Sequence, residues 1–141
     1  MKLRVGVCIG AFDLIHFGVI AMLEEAYNNC DKLIVLLHED PSVENGKLKP
    51  IHDVAIRKYI LEAIRYVDVV RTYKTEAGLI ELLKEIKPDI RFLGDDYRTK
   101  KITGAELNIP IHFINRDHGW STTRLKKEIY EQMREEFGSD N

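Results

Sequence analysis

Residues 4–20 read Arg4-Val5-Gly6-Val7-Cys8-Ile9-Gly10-Ala11-Phe12-Asp13-Leu14-Ile15-His16-Phe17-Gly18-Val19-Ile20. The apolar run from Arg4 to Ile9 is short, carries valines and stops at Gly10, which predicts a buried strand. From about Phe17 to Asn29, Ile20, Leu23 and Tyr27 recur at helical spacing while Glu24 and Glu25 fall on the other face. A glycine at the end of a strand lets the backbone approach an anion, and the following helix aims its free amides at the same place. This loop carries neither the GxxxxGK of a phosphate loop nor the GxGxxG of dinucleotide binding.

Outward from that segment the two patterns keep alternating. Lys32 to His38 predicts a strand, Val54 to Tyr66 a helix, Asp68 to Arg71 a strand, and Ala77 to Ile86 a helix closed by Lys87-Pro88. Ile90 to Leu93 and Ile109 to Ile114 complete the strands. A last helix capped near Ser121 runs to about Phe137, with Leu125, Ile129 and Met133 as a narrow apolar stripe. Such alternation implies a Rossmann-like, doubly wound α/β fold: a five-stranded parallel sheet with helices on both faces and ligands beyond the carboxyl ends of the strands. Residues 1–137 read as one domain and 138–141 as a frayed tail. Glu39 to Asp53 is the longest irregular stretch.

At 141 residues with 45% hydrophobic and 31% charged side chains, the chain suits a packed globular domain. Lys and Arg number 21 against 23 Asp and Glu, so no basic field exists to grip nucleic acid, and any anion site must be local. Cys8 and Cys30 form neither a disulfide framework nor a CxxC or Cys/His metal spacing, which fits reduced thiols in a cytoplasmic protein. No apolar run approaches the roughly 18 residues needed to span a bilayer, and the start of the chain passes directly into the first strand pattern. A membrane-bound or secreted protein is therefore not expected.

Gly10-Ala11-Phe12-Asp13-Leu14-Ile15-His16-Phe17-Gly18, followed by Val19, resembles the GxFDxxHxGH motif of cytidylyltransferase-like nucleotidyltransferases. Arg116-Asp117-His118-Gly119-Trp120-Ser121-Thr122-Thr123 resembles the RTEGISTT motif of the bacterial glycerol-3-phosphate cytidylyltransferases, the subfamily it looks most like. Between them, the segment from Arg57 to Asp68 resembles that subfamily's RKxILExIRYVDE, and Gly94-Asp95-Asp96-Tyr97 its GDDW. The resemblance implies joining of CTP, carried with Mg2+, to a small phosphorylated alcohol such as glycerol 3-phosphate, with release of pyrophosphate. It also implies a homodimer. No HExxH or CxxC cluster is present to cage a metal, so magnesium would arrive with the triphosphate.

The resemblance assigns catalysis to His16, Lys47 and Arg116. It assigns nucleotide or phosphate binding to Gly10, Ala11, Phe12, Asp13, Gly18 and Val19 in the first motif, and to Lys49, Arg57 and Arg65 in the middle of the chain. Gly94, Asp95, Asp96, Gly119, Ser121, Thr122 and Thr123 complete the set. Simpler roles compete for several of these: solvated lysines for Lys47 and Lys49, a helix-dipole partner for Arg65, and helix caps for Asp13 and Ser121.

Val19 stands where the family motif has its second histidine. Positions 16 and 19 share one face of a helix start, and valine can neither donate nor carry charge. A catalytically silent nucleotide-binding relative therefore competes with an active transferase, as does a transferase using ATP or another acceptor. His118 stands where the subfamily has Glu, as either a solvent-facing loop histidine or a substitute phosphate donor. Ala11, Asp117 and Trp120 depart from the family residues as well, Trp120 as a packing indole or a base-stacking one.

Overall fold

In the computed structural model, which describes residues 2–138, the chain begins with β1 (Val5–Gly10), α1 (Phe17–Asn28), β2 (Lys32–His38), α2 (Pro41–Asn45) and α3 (Val54–Glu62). It continues through β3 (Val69–Tyr73), α4 (Glu76–Ile86), β4 (Ile90–Gly94), β5 (Ile111–Ile114) and α5 (Thr122–Phe137). The strands form one parallel sheet in the order β3-β2-β1-β4-β5. Winding proceeds outward to β3 and then crosses to β4 on the other side of β1, so the chain leaves the sheet in opposite directions at β1 and β4. A crevice opens at that reversal.

Alternation along the strands divides the core in two. Cys8, Leu33, Val35, Leu37 and Phe92 face Leu23 and Ala26 of α1 and Leu61 of α3. Val7, Ile34, Leu36 and Tyr73 face Leu79, Leu82 and Leu83 of α4 on the opposite side. Helices thus cover both faces, as the alternation implied, and the interior strand β2 is buried along nearly its whole length. Both cysteines are free thiols. Among the described residues no helix is long and apolar enough to cross a membrane.

Several boundaries differ from the sequence reading for identifiable reasons. The helix expected to reach Tyr66 ends at Glu62, because Ala63 and Ile64 bond back three residues to Ile60 and Leu61 and tighten the chain into a turn. The strand expected from Ile109 begins at Ile111, after Pro110, which has no amide to give to a ladder. The irregular stretch 39–53 contains the short helix α2, started by Pro41 at its first position and by the Asp40 carboxylate, which accepts from Ser42 N at 2.9 Å. The stripe on α5 is not buried: Ile129 and Met133 are each 49% exposed. Of the expected frayed tail, Gly138 caps α5 and residues 139–141 lie outside the described residues.

Arg57 on α3 is the largest fully buried side chain, at 1% exposure. Its guanidinium donates to four backbone carbonyls: Ala11 at 2.9 Å, His38 at 2.7 Å, His52 at 2.9 Å, and Glu39. Burial draws its pKa down, while Asp13, Asp40, Asp53 and Glu39 oppose that shift. One side chain therefore ties the loop after β1, the end of β2 and the entry to α3. Arg57→Met should leave those carbonyls unpaired and lower unfolding stability by about 3–5 kcal/mol, measured by urea denaturation. A loss below about 1 kcal/mol would mean that the carbonyls find other partners.

Candidate active site

Above the strand ends lies a cleft of about 510 Å³, lined by the carboxyl ends of β1, β2 and β4 and by the loops that follow them. Its shape follows from the loop after β1. Phe12 and Leu14 both hold φ of +50°, a left-handed conformation that costs a non-glycine residue on the order of 1 kcal/mol or more. The surroundings over-determine that strained turn. Asp13, 8% exposed, accepts from Ile51 N at 2.7 Å and His52 N at 3.0 Å, while its own carbonyl accepts from the Thr122 hydroxyl at 3.2 Å. Phe12 packs against the α1-side core instead of facing the cleft.

On the α1 side the cleft is lined by Gly10, Ala11, His16, Gly18, Val19 and Gly94, with Arg116, His118, Trp120 and Thr122 closing it. His16 caps α1: its Nδ1 accepts from Gly18 N at 3.1 Å, so in the neutral ring the proton sits on Nε2. Burial, then Arg116 and His118, hold its pKa below the ordinary histidine value. The result is a neutral N–H donor at a helix start. His118 is arranged alike, its Nδ1 accepting from Trp120 N at 2.9 Å.

A side chain at Gly18 would have its Cβ only 2.8 Å from His118 Cε1, 2.9 Å from Trp120 Cβ and 3.0 Å from His16 Cε1. Glycine here is what lets the loop before α5 settle onto the first turn of α1. Gly94 works in the same way, since a Cβ there would overlap Asp96 and lie 2.6 Å from Arg116 Cδ. Arg116 is held by Asp96 and by the Trp120 carbonyl, each at 3.3 Å, with its guanidinium at the cleft wall.

The α4 side of the cleft was not anticipated from the sequence. His38, Tyr73, Glu76, Arg91 and Thr103 line it beside Lys47. His38 is 4% and Arg91 5% exposed, yet His38 Nε2 and Arg91 Nε have no hydrogen-bond partner. His38 stacks on Tyr73 at 4.6 Å, and Arg91 donates through Nη1 to the Thr103 carbonyl at 2.6 Å. Burial lowers the Arg91 pKa and raises that of Tyr73. Burial would also raise Glu76, but hydrogen bonds from Asn45 and Thr103 and the nearby His38 and Lys47 outweigh it and keep the carboxylate charged. Among the described residues no carboxylate comes within ion-pair distance of Arg91. A guanidinium in the middle of the apolar Ile90–Gly94 strand was the one signal in the sequence that could have revealed this half.

Other expected site residues lie elsewhere. Arg57 spends its donors on carbonyls and does not line the cleft. Arg65 lies beyond the far end of α3, bonded to the Tyr66 hydroxyl, which donates in turn to Glu24. Asp13 braces the 51–52 backbone instead of the amides of its own loop. Ser121 accepts from Arg124 N as the cap of α5, and Thr122 lines the cleft with its hydroxyl given to Asp13. Lys49, Asp95, Asp96, Gly119 and Thr123 are not among the lining residues; Gly119, at φ +73°, turns the chain toward α5. Of the expected trio of hydroxyl residues, Thr122 alone lines the cleft.

The cytidylyltransferase-like family model matches residues 7–135. The chain belongs to this nucleotidyltransferase-like family. It is 36% identical over 122 residues to the bifunctional protein HldE of Campylobacter jejuni serotype O:6, covering 85% of this chain and 26% of that protein. It is 39% identical over 107 residues to HldE of Gluconacetobacter diazotrophicus, covering 74% of this chain and 22% of that protein. The chain therefore spans about a quarter of the length of these curated relatives. A lipopolysaccharide core biosynthesis protein from Thermoplasma volcanium matches in structure with a TM-score of 0.66 and 26% identity, covering 81% of this chain and 96% of that one. Pantothenate synthetase from Thermus thermophilus shares the fold at a TM-score of 0.54 and 15% identity, covering 88% and 64%.

The surroundings of His16 carry a measurable consequence. In an NMR titration its midpoint should fall below 6.5 and move upward in Arg116→Gln, because one of the repelling cations is gone. A midpoint at or above 6.5 that is indifferent to Arg116 would contradict this account of the site.

Proposed function

We propose that the chain transfers a nucleotidyl group from a magnesium-bound nucleoside triphosphate to a small phosphorylated polyol. CTP is the first candidate donor, ATP the second, and glycerol 3-phosphate the first acceptor to try. One observation carries the reading. In a chain of net charge −2, the cleft wall bears Lys47, Lys101 and Arg116 as well as the buried Arg91, against Glu76 as its one carboxylate among the described residues. Such a concentration of cations around one cleft fits a ligand with several phosphates.

An acceptor phosphate oxygen attacks the α-phosphorus, the bond to the β-phosphate oxygen breaks, and pyrophosphate leaves. Transfer of this kind relies on positioning and on donors that meet the developing charge. His16 supplies a neutral N–H, while Arg116 and Lys47 supply charge. Magnesium would arrive with the triphosphate, as part of the substrate. It would shield the triphosphate oxygens.

We assign the acceptor's hydroxyl-bearing end to the α4 side. Arg91 can only donate there and charged Glu76 can only accept, so a carboxylate would be repelled by one and an ammonium by the other. A hydroxyl satisfies both. The relative named for lipopolysaccharide core biosynthesis supports an acceptor drawn from cell-surface precursors. The free thiols Cys8 and Cys30 suit a reducing cytoplasm, and the exposed stripe of Ile129, Met133 and Phe137 on α5 suits pairing of two copies, testable by sedimentation equilibrium.

Val19 favours a second reading in which the triphosphate binds without transfer. Pyrophosphate release with MgCTP or MgATP and glycerol 3-phosphate separates the two. Release supports transfer, binding without release across a panel of phosphorylated polyols supports the silent relative, and failure to bind either triphosphate overturns both. Given turnover, Arg91→Met should raise the acceptor KM about tenfold without raising that of the nucleotide. Its stability should change by less than about 1 kcal/mol, because the bond lost at the Thr103 carbonyl is offset by removal of a buried charge without an ion-pair partner.

A further inference from the structure

We propose that His118 is the second phosphate-contacting histidine of this site, presented by the loop before α5 to the ground that Val19 on α1 leaves without a donor. The proposal rests on the nucleotidyl-transfer reading. It concerns how that site is completed.

His16 and Val19 are three residues apart at the start of α1, on one face, and both line the cleft. Val19 packs against the α1-side core and has no hydrogen to donate. A single neutral imidazole would then have to meet the charge that grows on the phosphates. His118 lines the same cleft from another part of the chain and is half-buried, not solvent-facing.

The two imidazoles are prepared in the same way. Each has its Nδ1 filled by the amide two residues further on, Gly18 N for His16 at 3.1 Å and Trp120 N for His118 at 2.9 Å. Each neutral ring therefore keeps its proton on Nε2 as a free donor. They converge on one point, since the Cβ position of Gly18 lies 3.0 Å from Cε1 of His16 and 2.8 Å from Cε1 of His118. Aromatic packing fixes the arrangement: Trp120 stacks on His16 with centroids 6.2 Å apart, and Phe17 meets the His118 ring edge-on at 6.2 Å.

The chemistry asked of His118 is a hydrogen bond and no proton transfer. As the α-phosphorus takes the acceptor oxygen and releases pyrophosphate, negative charge moves onto the phosphate oxygens, and the Nε2–H of His118 donates to one of them alongside that of His16. The bond formed is acceptor oxygen to phosphorus, and the bond broken is phosphorus to the departing oxygen. The leaving group departs as the anion.

The test compares the unaltered 141-residue chain with His118→Ala, His118→Gln, and the double variant Val19→His with His118→Ala. Circular dichroism first establishes that each is folded. His118→Ala should lose about 10²-fold in kcat, the scale expected for one donor to a charged transition state. His118→Gln retains an N–H and should recover at least about tenfold of that loss. The double variant should recover a similar share, because it restores a donor from α1. An activity of His118→Ala within about threefold of the unaltered chain, or no recovery in either of the other two, overturns the proposal.

A readout independent of turnover keeps the question open to test if transfer proves slow. Adding MgCTP or MgATP should shift the Nε2 nitrogen resonance of His118 together with that of His16. If a triphosphate binds and only His16 responds, His118 is not a phosphate ligand. If neither triphosphate binds, the nucleotidyl-transfer reading itself fails and this proposal falls with it.

Discussion

The buried guanidinium of Arg57 is the constraint on which the cleft depends. Burying that charge is costly, and no single carboxylate balances it; four carbonyls do, taken from the loop after β1, the end of β2, the segment beyond it and the entry to α3. Apart from His38 at the end of β2, those stretches are irregular backbone and would otherwise have little to hold them together. Once Arg57 has joined them, Asp13 can reach the amides of Ile51 and His52, and the left-handed residues Phe12 and Leu14 have surroundings that keep them so. The floor of the site is thus set by a side chain that does not line it.

Built on that floor, the cleft straddles the upper edge of the sheet. β1 lies at its centre, with α1 on one face and α4 on the other, so the Gly10–Ala11 backbone divides two unlike halves. The α1 half offers imidazole side chains, a helix start and Arg116, which suits phosphate. The α4 half offers buried side chains with unfilled hydrogen-bonding atoms, His38 Nε2 and Arg91 Nε, close to apolar strand residues. Two dissimilar reactants can meet across such a divide with only their reacting ends in common.

Local signals governed what could be read before the structure. Alternation of short apolar runs with helical periodicity disclosed the doubly wound sheet, and a glycine ending the first strand pointed to the loop that lines the cleft. The same local reading grouped Arg65 with the site, because a motif records neighbours in the chain. In space Arg65 lies beyond the end of a helix that runs away from the cleft, some 13 Å over nine residues at 1.5 Å each. Thr123 sits next to Thr122 in sequence but is exposed one step further round α5.

By itself, then, the sequence determined the order of elements, the parallel sheet and the strand-end loops that line the cleft, because these follow from periodicity and from glycine at one strand end. Only the tertiary structure decided which polar residues are spent on the scaffold and which are free. Arg57 and Arg91 are both arginines within regular elements, yet one has its donors filled by carbonyls and the other keeps a nitrogen without a partner. His16 and His118 stand about a hundred residues apart in the chain and share the space above Gly18. Such distinctions arise from packing between distant segments, where hydrogen-bond donors meet acceptors that no local pattern encodes.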